Sequence, residues 1–224
     1  PNDPFEEYNR ALYDVHQLIE EEIYLPVYGT YQAITPLGIR IGLNNMADNF
    51  LEISNVINDV FQGDLTFAIS DLSRFAINST VGIFGFFDFA SVLFLPKHEQ
   101  SFAATLAYWG TDPGPFIVIP GIGAGFFANH LSTFLDFSTL SILDPTKNTH
   151  KIMHDMLLAQ KFNQNGDAIL IKRATFDSYI TARNIAQQSF DNAKTRPSYE
   201  ELQLETMDEQ LMLEDPDYMM GDDY

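Results

Sequence analysis

Apolar residues recur every three or four positions through the first third of the chain. Phe5, Tyr8, Leu12, Val15 and Ile19 lie on one stripe, which predicts a helix. Asp3 as N-cap, Pro4 at the first helical position and Glu6 completing a capping-box-like pattern mark its start. Pro26 ends or kinks this helix, and Thr35-Pro36 repeats the cap-then-proline signature. Ile39, Leu43, Met46, Phe50, Ile53, Ile57 and Val60 then carry a second, long helix to about Gln62. Gly63 breaks it, Asp64 caps the next, and Leu65, Ile69, Leu72 and Phe75 mark a third. No strand alternation of comparable length competes.

The pattern changes at NSTVGIFGFFDFASVLFLP. From Val81 to Leu95 there are fifteen residues with one charge, Asp88, and five phenylalanines. As one helix the stretch would be about 22 Å long, short of the roughly 30 Å core of a bilayer. On such a helix Gly82, Gly85 and Asp88 share a small-and-polar stripe, while Phe84, Phe86, Phe87, Phe89, Leu93 and Phe94 lie outside it. In the segment Tyr108–Phe127 proline and glycine make helix implausible, and a turn followed by a short extended piece, Phe116 to Ile119, is expected. Helical spacing returns with Phe127, Leu131, Phe134 and Leu135, then with Ile152 and Met156, and in a polar helix around Tyr179 to Phe190. The fold class is therefore mainly α, with a Pro/Gly-interrupted apolar centre. In a water-soluble protein that centre is core; in one membrane leaflet it would face acyl chains about 15 Å deep.

Composition sharpens the choice. Nineteen Phe stand against one Trp, and eleven of those Phe fall between Phe84 and Phe137. The net charge is −19, and residues 197–224 hold ten acids and no Lys or Arg. The chain therefore reads as one helical domain, 1–196, and an acidic tail, 197–224, either solvated or a short docking helix. Nucleic acid is disfavoured as a partner, since no basic patch exists to neutralise phosphates. With no cysteine, disulfides and thiolate metal sites are excluded. No apolar run is long enough to span a bilayer.

Catalytic patterns are scarce: no nucleophile elbow, phosphate-cradling glycine loop or HExxH occurs. His150 and His154, four apart beside Asp155, have zinc-compatible spacing but no third ligand, so they read as a polar helix face and no metal is assigned. His98-Glu99 and Asp71 near Arg74 read as ordinary surface pairs. Neither an enzyme nor a cofactor is expected.

Four stretches carry a resemblance: DPFEEYNR (Asp3 to Arg10), INDVFQGD (Ile57 to Asp64), RFAINSTVGIFGFFDFA (Arg74 to Ala90) and YWGTDPGPFIVIP (Tyr108 to Pro120). In that order and spacing the chain resembles the MlaA/VacJ family of outer-membrane lipoproteins over most of residues 3–137. The matching positions include Asp3, Pro4, Asn9 and Arg10, then Asn78, Ser79, Thr80, Gly82, Gly85 and Asp88, then Trp109, Gly110, Pro113, Gly114 and Pro115. Asp177-Ser178-Tyr179 stands where the family has Asp-Pro-Tyr. Leu25 replaces a residue that is usually basic, and Gly121 to His130 lacks the family's usual proline-serine and arginine-aspartate.

The resemblance implies a ring-shaped helical bundle in the inner leaflet of the Gram-negative outer membrane, on its periplasmic side and beside a trimeric porin. A lipidated cysteine upstream of Pro1 would anchor it. An amphipathic channel would take mislocalised glycerophospholipids from the outer leaflet and pass them, without bond breaking, to a soluble periplasmic carrier. Val81 to Leu95 would then be a ring helix. Phe84, Phe86, Phe87, Phe89, Leu93, Phe94, Phe116, Phe126 and Phe127 become lipid-facing or channel candidates, and Trp109 either an interface anchor or a packing residue. Asn78, Ser79 and Thr80 would form a turn and cap the next helix, and Pro113–Gly125 would sit near the headgroup lane. The acidic tail would help recruit the carrier. The rival reading is a soluble helical binding or scaffold module whose Phe-rich centre is ordinary core.

Overall fold

The computed structural model describes residues 3–142 and 177–214. The Ile152/Met156 repeat, the His150/His154 pair and the end of the acidic tail lie outside them. Within the described residues the protein is mainly helical.

Helix α1 runs Glu6–Ile19, later than the capping pattern predicts. The Asp3 carboxylate is taken elsewhere, by Asn9 Nδ2 at 3.0 Å, Arg183 at 3.1 Å and the Tyr179 hydroxyl. Phe5 is left at the N-cap position without a side-chain cap. Pro26 does not end the helix. Its ring excludes the carbonyl four residues back, and the backbone absorbs this in a π-helical turn, Glu20–Tyr24, before continuing as α2, Leu25–Ile34.

Helices α3 (Leu37–Gln62) and α4 (Leu65–Thr80) form the main helical pair. The turn between them is written in the sequence. Gly63 takes φ 78°, which a residue with a Cβ rarely adopts. The Asp64 carboxylate then accepts from the Thr66 and Phe67 amides, both at 3.1 Å.

Val81 to Leu95 is not one helix. After α4 the chain makes consecutive turns and only a four-residue helix, α5 (Phe89–Val92). Ile83, Phe84 and Gly85 all have positive φ, at 54°, 57° and 87°. Amides of this loop are tied back to the end of α4: Gly85 N to Asn78 O at 2.7 Å and Phe84 N to Ser79 O at 3.2 Å. A helix over these residues would leave the Asp88 carboxylate away from Arg74, the partner it now holds.

Helix α6 (Phe102–Tyr108) precedes the extended piece, which is β1, Phe116–Ile119. It pairs antiparallel with β2, Gly123–Phe126, in the register Phe116 to Phe126. β2 reads GAGF and carries no alternation to announce it. Helix α7 (Phe127–Ile142) follows, then α8 (Ser178–Asn192) and α9 (Tyr199–Glu214). Phe116, Val118 and Phe126 of the hairpin pack with Tyr13, Tyr179 and Ala182. Alanines 103, 107 and 128 with Phe190 let α6, α7 and α8 approach closely. Helix α9 returns to the body, where Tyr199 meets the Phe67 ring edge-on at 5.4 Å and Thr206 is buried.

Candidate functional site

The α3–α4 pair is packed the wrong way round for a protein in water. The residues α3 buries are mainly polar: Asn49, Glu52, Ser54, Asn55, Asn58 and Asp59. On α4 they include Ser70, Asp71, Arg74 and Asn78. The apolar stripe read from the sequence on α4 points outward instead, with Leu65 at 64%, Ile69 at 66% and Leu72 at 56% exposure, while on α3 Ile39 and Val60 are exposed and the stripe residues between them are half-buried. Polar groups withdrawn from solvent must satisfy one another, and most of these do, although one oxygen each of Asn49 and Asp59 and both of Asp71 accept no hydrogen bond. Asn49 Nδ2 donates to Ser79 Oγ at 2.9 Å, Asn55 Nδ2 to Glu52 at 3.0 Å, and Thr105 Oγ1 to Asn58 at 2.8 Å.

Arg74, 1% exposed, is the hub. Its Nε donates to Glu52 at 2.8 Å, and one Nη donates to Ser91 Oγ at 3.2 Å and the Leu95 carbonyl at 2.6 Å. The other Nη reaches both Asp88 oxygens, at 3.2 and 3.0 Å. Burial works against a charge on Asp88, but Arg74, Ser91 and Asn78 outweigh it and hold the carboxyl below its usual range. Asn78 closes the arrangement, donating to Asp88 and accepting from the Ala90 amide, both at 2.9 Å. Asn78, Ser79 and Thr80 are not the turn and cap expected but the end of α4; the N-cap of α5 is Asp88, which accepts from the Ser91 amide at 3.2 Å, and Asn78 reaches the same helix from α4. Thr80 Oγ1 bonds within its own helix, to the Ala76 carbonyl at 2.7 Å. The Arg74, Asn78 and Asp88 positions of the RFAINSTVGIFGFFDFA motif are therefore a polar base plate beneath an apolar loop.

That loop presents Val81, Ile83, Phe84, Phe87, Val92 and Leu93 outward, with Phe84 at 67% exposure. Phe89 and Phe94 are partly covered, at 39% and 38%. Phe86 is half-buried against α3, where a Cβ on Gly42 would lie 2.2 Å from its ring. Phe116 and Phe126, expected at a lipid or channel surface, are fully buried in the hairpin core. Phe127 is exposed beside Gly114.

Gly82 and Gly85 are both buried and face inward, although no helix carries them. A Cβ on Gly85 would stand 2.5 Å from Asn49 Cβ, at φ 87°. Gly85→Ala should therefore destabilise the protein by about 2 kcal/mol or more, the strained φ adding to the clash. Gly29→Ala, in α2 with open space around its Cα, should be neutral or slightly stabilising. Thermal melts followed by circular dichroism compare the two.

The N-terminal motif is a clamp. Asn9 donates to the Phe116 carbonyl at 2.8 Å and accepts from the Val118 amide at 3.2 Å, fixing β1 to α1. Arg10 lies over the Tyr179 ring, 4.5 Å from its centre, and bonds Glu6 and Asp177. Trp109 is exposed, donating Nε1–H to the Phe61 carbonyl at 3.2 Å. Gly110 terminates α6 at φ 76°. In the Pro113-Gly114-Pro115 turn the Gly114 amide donates to Asp112 at 2.7 Å, while the Pro113 and Pro115 carbonyls accept from Ala128 and Phe127.

Asp71 and His98 are not the surface pairs expected. Asp71 and Asp59 are fully buried, and the His98 ring lies between them, its two nitrogens each 3.3 Å from one carboxylate. Burial pushes the Asp71 carboxyl up to about 8, with His98 pulling the other way. Burial also disfavours charge on His98, but Asp59 and Asp71 together hold the ring protonated up to about 9. No sequence periodicity points to this group, since its members come from α3, α4 and the 96–101 connection.

A family model described as "MlaA lipoprotein" matches residues 1–193. An uncharacterised protein of Rickettsia prowazekii is 34% identical over 122 residues, covering 54% of this chain and 49% of that protein. The "Intermembrane phospholipid transport system lipoprotein MlaA" of Escherichia coli K12 is 30% identical over 128 residues, 55% of this chain and 51% of its own length. The chain thus spans about half the length of these two curated relatives. A solved chain from "Structural basis for maintenance of bacterial outer membrane lipid asymmetry" superposes with a TM-score of 0.71 at 23% identity, covering 87% of this chain and all of that one.

Proposed function

Since the chain belongs to the MlaA lipoprotein family, we propose that it sits in one membrane leaflet and passes phospholipids to a soluble acceptor. The observation that carries this reading is the inverted packing of α3, α4 and the loop after them. Buried polar side chains hold these elements together while the apolar stripe of α4, the two ends of the α3 stripe and the loop face outward. In water that arrangement exposes a continuous apolar surface; in acyl chains it is the stable one, because internal polar pairing replaces the lost solvent. No helix among the described residues is long and apolar enough to cross a membrane, which fits a half-depth seat.

The finer reading follows the family. The helices form a ring around an amphipathic channel in the inner leaflet of a Gram-negative outer membrane, beside a trimeric porin, with a lipid anchor upstream. Glycerophospholipids enter from the outer leaflet and leave to a periplasmic carrier, so that lipid asymmetry is maintained. No bond is broken, and no nucleophile arrangement is required. The carrier docks on the periplasmic side, where the acidic tail contributes to recruiting it.

The test is transfer of a labelled phospholipid from vesicles carrying the protein to a soluble lipid-binding acceptor, with flotation measured in parallel. The protein should float with vesicles and transfer should depend on it. Absence of both returns the apolar belt to a protein–protein surface of a soluble module.

A further inference from the structure

Among the described residues the lysines and arginines are Arg10, Arg40, Arg74, Lys97, Arg183, Lys194 and Arg196. All but Arg40 lie against a carboxylate: Arg10 beside Asp177, Arg74 beside Glu52, Lys97 beside Asp48, Arg183 beside Asp3, Lys194 beside Asp191 and Arg196 beside Asp59. Arg40 has no such partner among the described residues, although the chain holds 31 acids. Its side chain is half-buried, and its Nε is enclosed without a hydrogen bond. Arg183 and Arg196 also leave Nε unbonded, but both are paired through an Nη. A guanidinium drawn partly out of water with neither counterion nor acceptor is costly. An anion from outside the protein removes that cost.

Position says which anion. Asn58 stands about five helical turns beyond Arg40 on α3, directly in line with it, and Ala47 and Ser54 lie close to the same line. All three are buried, and Ser54 Oγ donates to Asp136 of α7 at 2.9 Å. Arg40 therefore belongs to the polar, inward line of α3. The outward positions at the same end of the helix are Leu37, Ile39 and Ile41, all exposed and apolar. One positive charge inside an apolar wall suits a group that is anionic at one end and hydrocarbon at the other. We infer that Arg40 binds a phosphate group, which on the lipid-handling reading is the phosphodiester of a glycerophospholipid. The inference rests on that reading for the lipid, and on the unpaired guanidinium for the phosphate. The planar fork of N–H groups matches two phosphate oxygens, so the headgroup is held at the Leu37 end of α3 while its tails meet the apolar side.

The test is calorimetric binding to the full chain, held in amphipol so that no micelles compete. The probes are a short-chain phosphatidylcholine, the diacylglycerol of the same chains, and inorganic phosphate. Arg40→Gln should weaken phosphatidylcholine binding by about tenfold or more and leave diacylglycerol binding unchanged. Lys194→Gln, which removes a cation from the surface of α8, should change neither. Equal phosphatidylcholine binding by wild type and Arg40→Gln overturns the site and leaves the lipid-handling reading standing. An equal loss for diacylglycerol also overturns it, since Arg40 would then act through the fold. Binding of inorganic phosphate that depends on Arg40, with none of phosphatidylcholine, keeps the phosphate site and removes lipid as its source. Binding of no probe by the wild type removes both the site and the reading. If Arg40→Gln fails to fold, wild-type crystals grown with the phosphatidylcholine decide: phosphate oxygens within hydrogen-bond reach of the Arg40 guanidinium support the site, and a headgroup elsewhere overturns it.

Discussion

Arg74→Ala should cost about 3 to 5 kcal/mol of stability, the usual result of removing one partner from a buried ion pair. The substitution strips Glu52, 2% exposed, of its countercharge, and frees Asp88, Ser91 and the Leu95 carbonyl at once. For a chain of this size the melting temperature should fall by roughly 10 °C, read by circular dichroism in micelles. Arg74→Lys should recover little. A single ammonium cannot reach Glu52 on one side and both Asp88 oxygens on the other, as the planar fork does. The pH dependence carries a distinct sign. Burial raises the Glu52 carboxyl even with Arg74 beside it, and without Arg74 it rises further. An acid whose folded value is raised costs stability when ionised and recovers it on protonation. The deficit of Arg74→Ala should therefore narrow as pH falls from neutral toward the ordinary glutamate value of 4.5. A deficit constant over that range would mean that Glu52 is not left as an unpaired charge.

Much of the helical framework was legible in the residues, because caps and breakers act locally. Gly63-Asp64 places the α3–α4 turn as predicted, and Asp177, where the family's Asp-Pro-Tyr would begin, caps α8 by accepting from Ile180 at 3.0 Å. Failures occurred where a distant partner outbid a local one. Asp3 looks like an N-cap, yet Tyr179 and Arg183, far along the chain, claim its carboxylate. The Val81–Leu95 segment has helix length and composition, but Arg74 holds Asp88 in a position that no continuous helix allows. Periodicity identified the stripes on α3 and α4 correctly and was silent on which solvent they face. An outward apolar stripe and an inward one have the same spacing; only the polar residues opposite, and their mutual satisfaction, tell them apart. Phe116 and Phe126 show the converse. Both are as apolar as Phe84, and they are core because Asn9 pins β1 against α1.

The same distinction decides which phenylalanines should matter for membrane binding. Phe84, Phe87 and Leu93 are 67%, 49% and 60% exposed and project from the base plate, with Phe87 meeting the neighbouring Phe86 and Phe89 rings edge-on at 5.0 and 6.2 Å. Phe86 is different, since its ring rests on Gly42, and Phe86→Asp would damage the fold as well as the surface. The triple variant Phe84→Asp, Phe87→Asp, Leu93→Asp should fold, as these side chains leave the Arg74 network untouched. Each change forfeits about 1 to 1.5 kcal/mol of apolar transfer, half the value of a fully buried side chain. Each also asks a carboxylate to enter hydrocarbon, at about 2 to 3 kcal/mol. Together the three changes are worth roughly 10 kcal/mol, and each 1.4 kcal/mol is tenfold in partition, so the variant should no longer float with vesicles. Phe116→Leu serves as the contrast: buried in the hairpin core, it should lower the melting temperature while vesicle binding persists. If the folded triple variant still binds vesicles as the wild type does, the loop after α4 is not the membrane contact. The exposed stripe of α4, Leu65, Ile69 and Leu72, would then have to carry it.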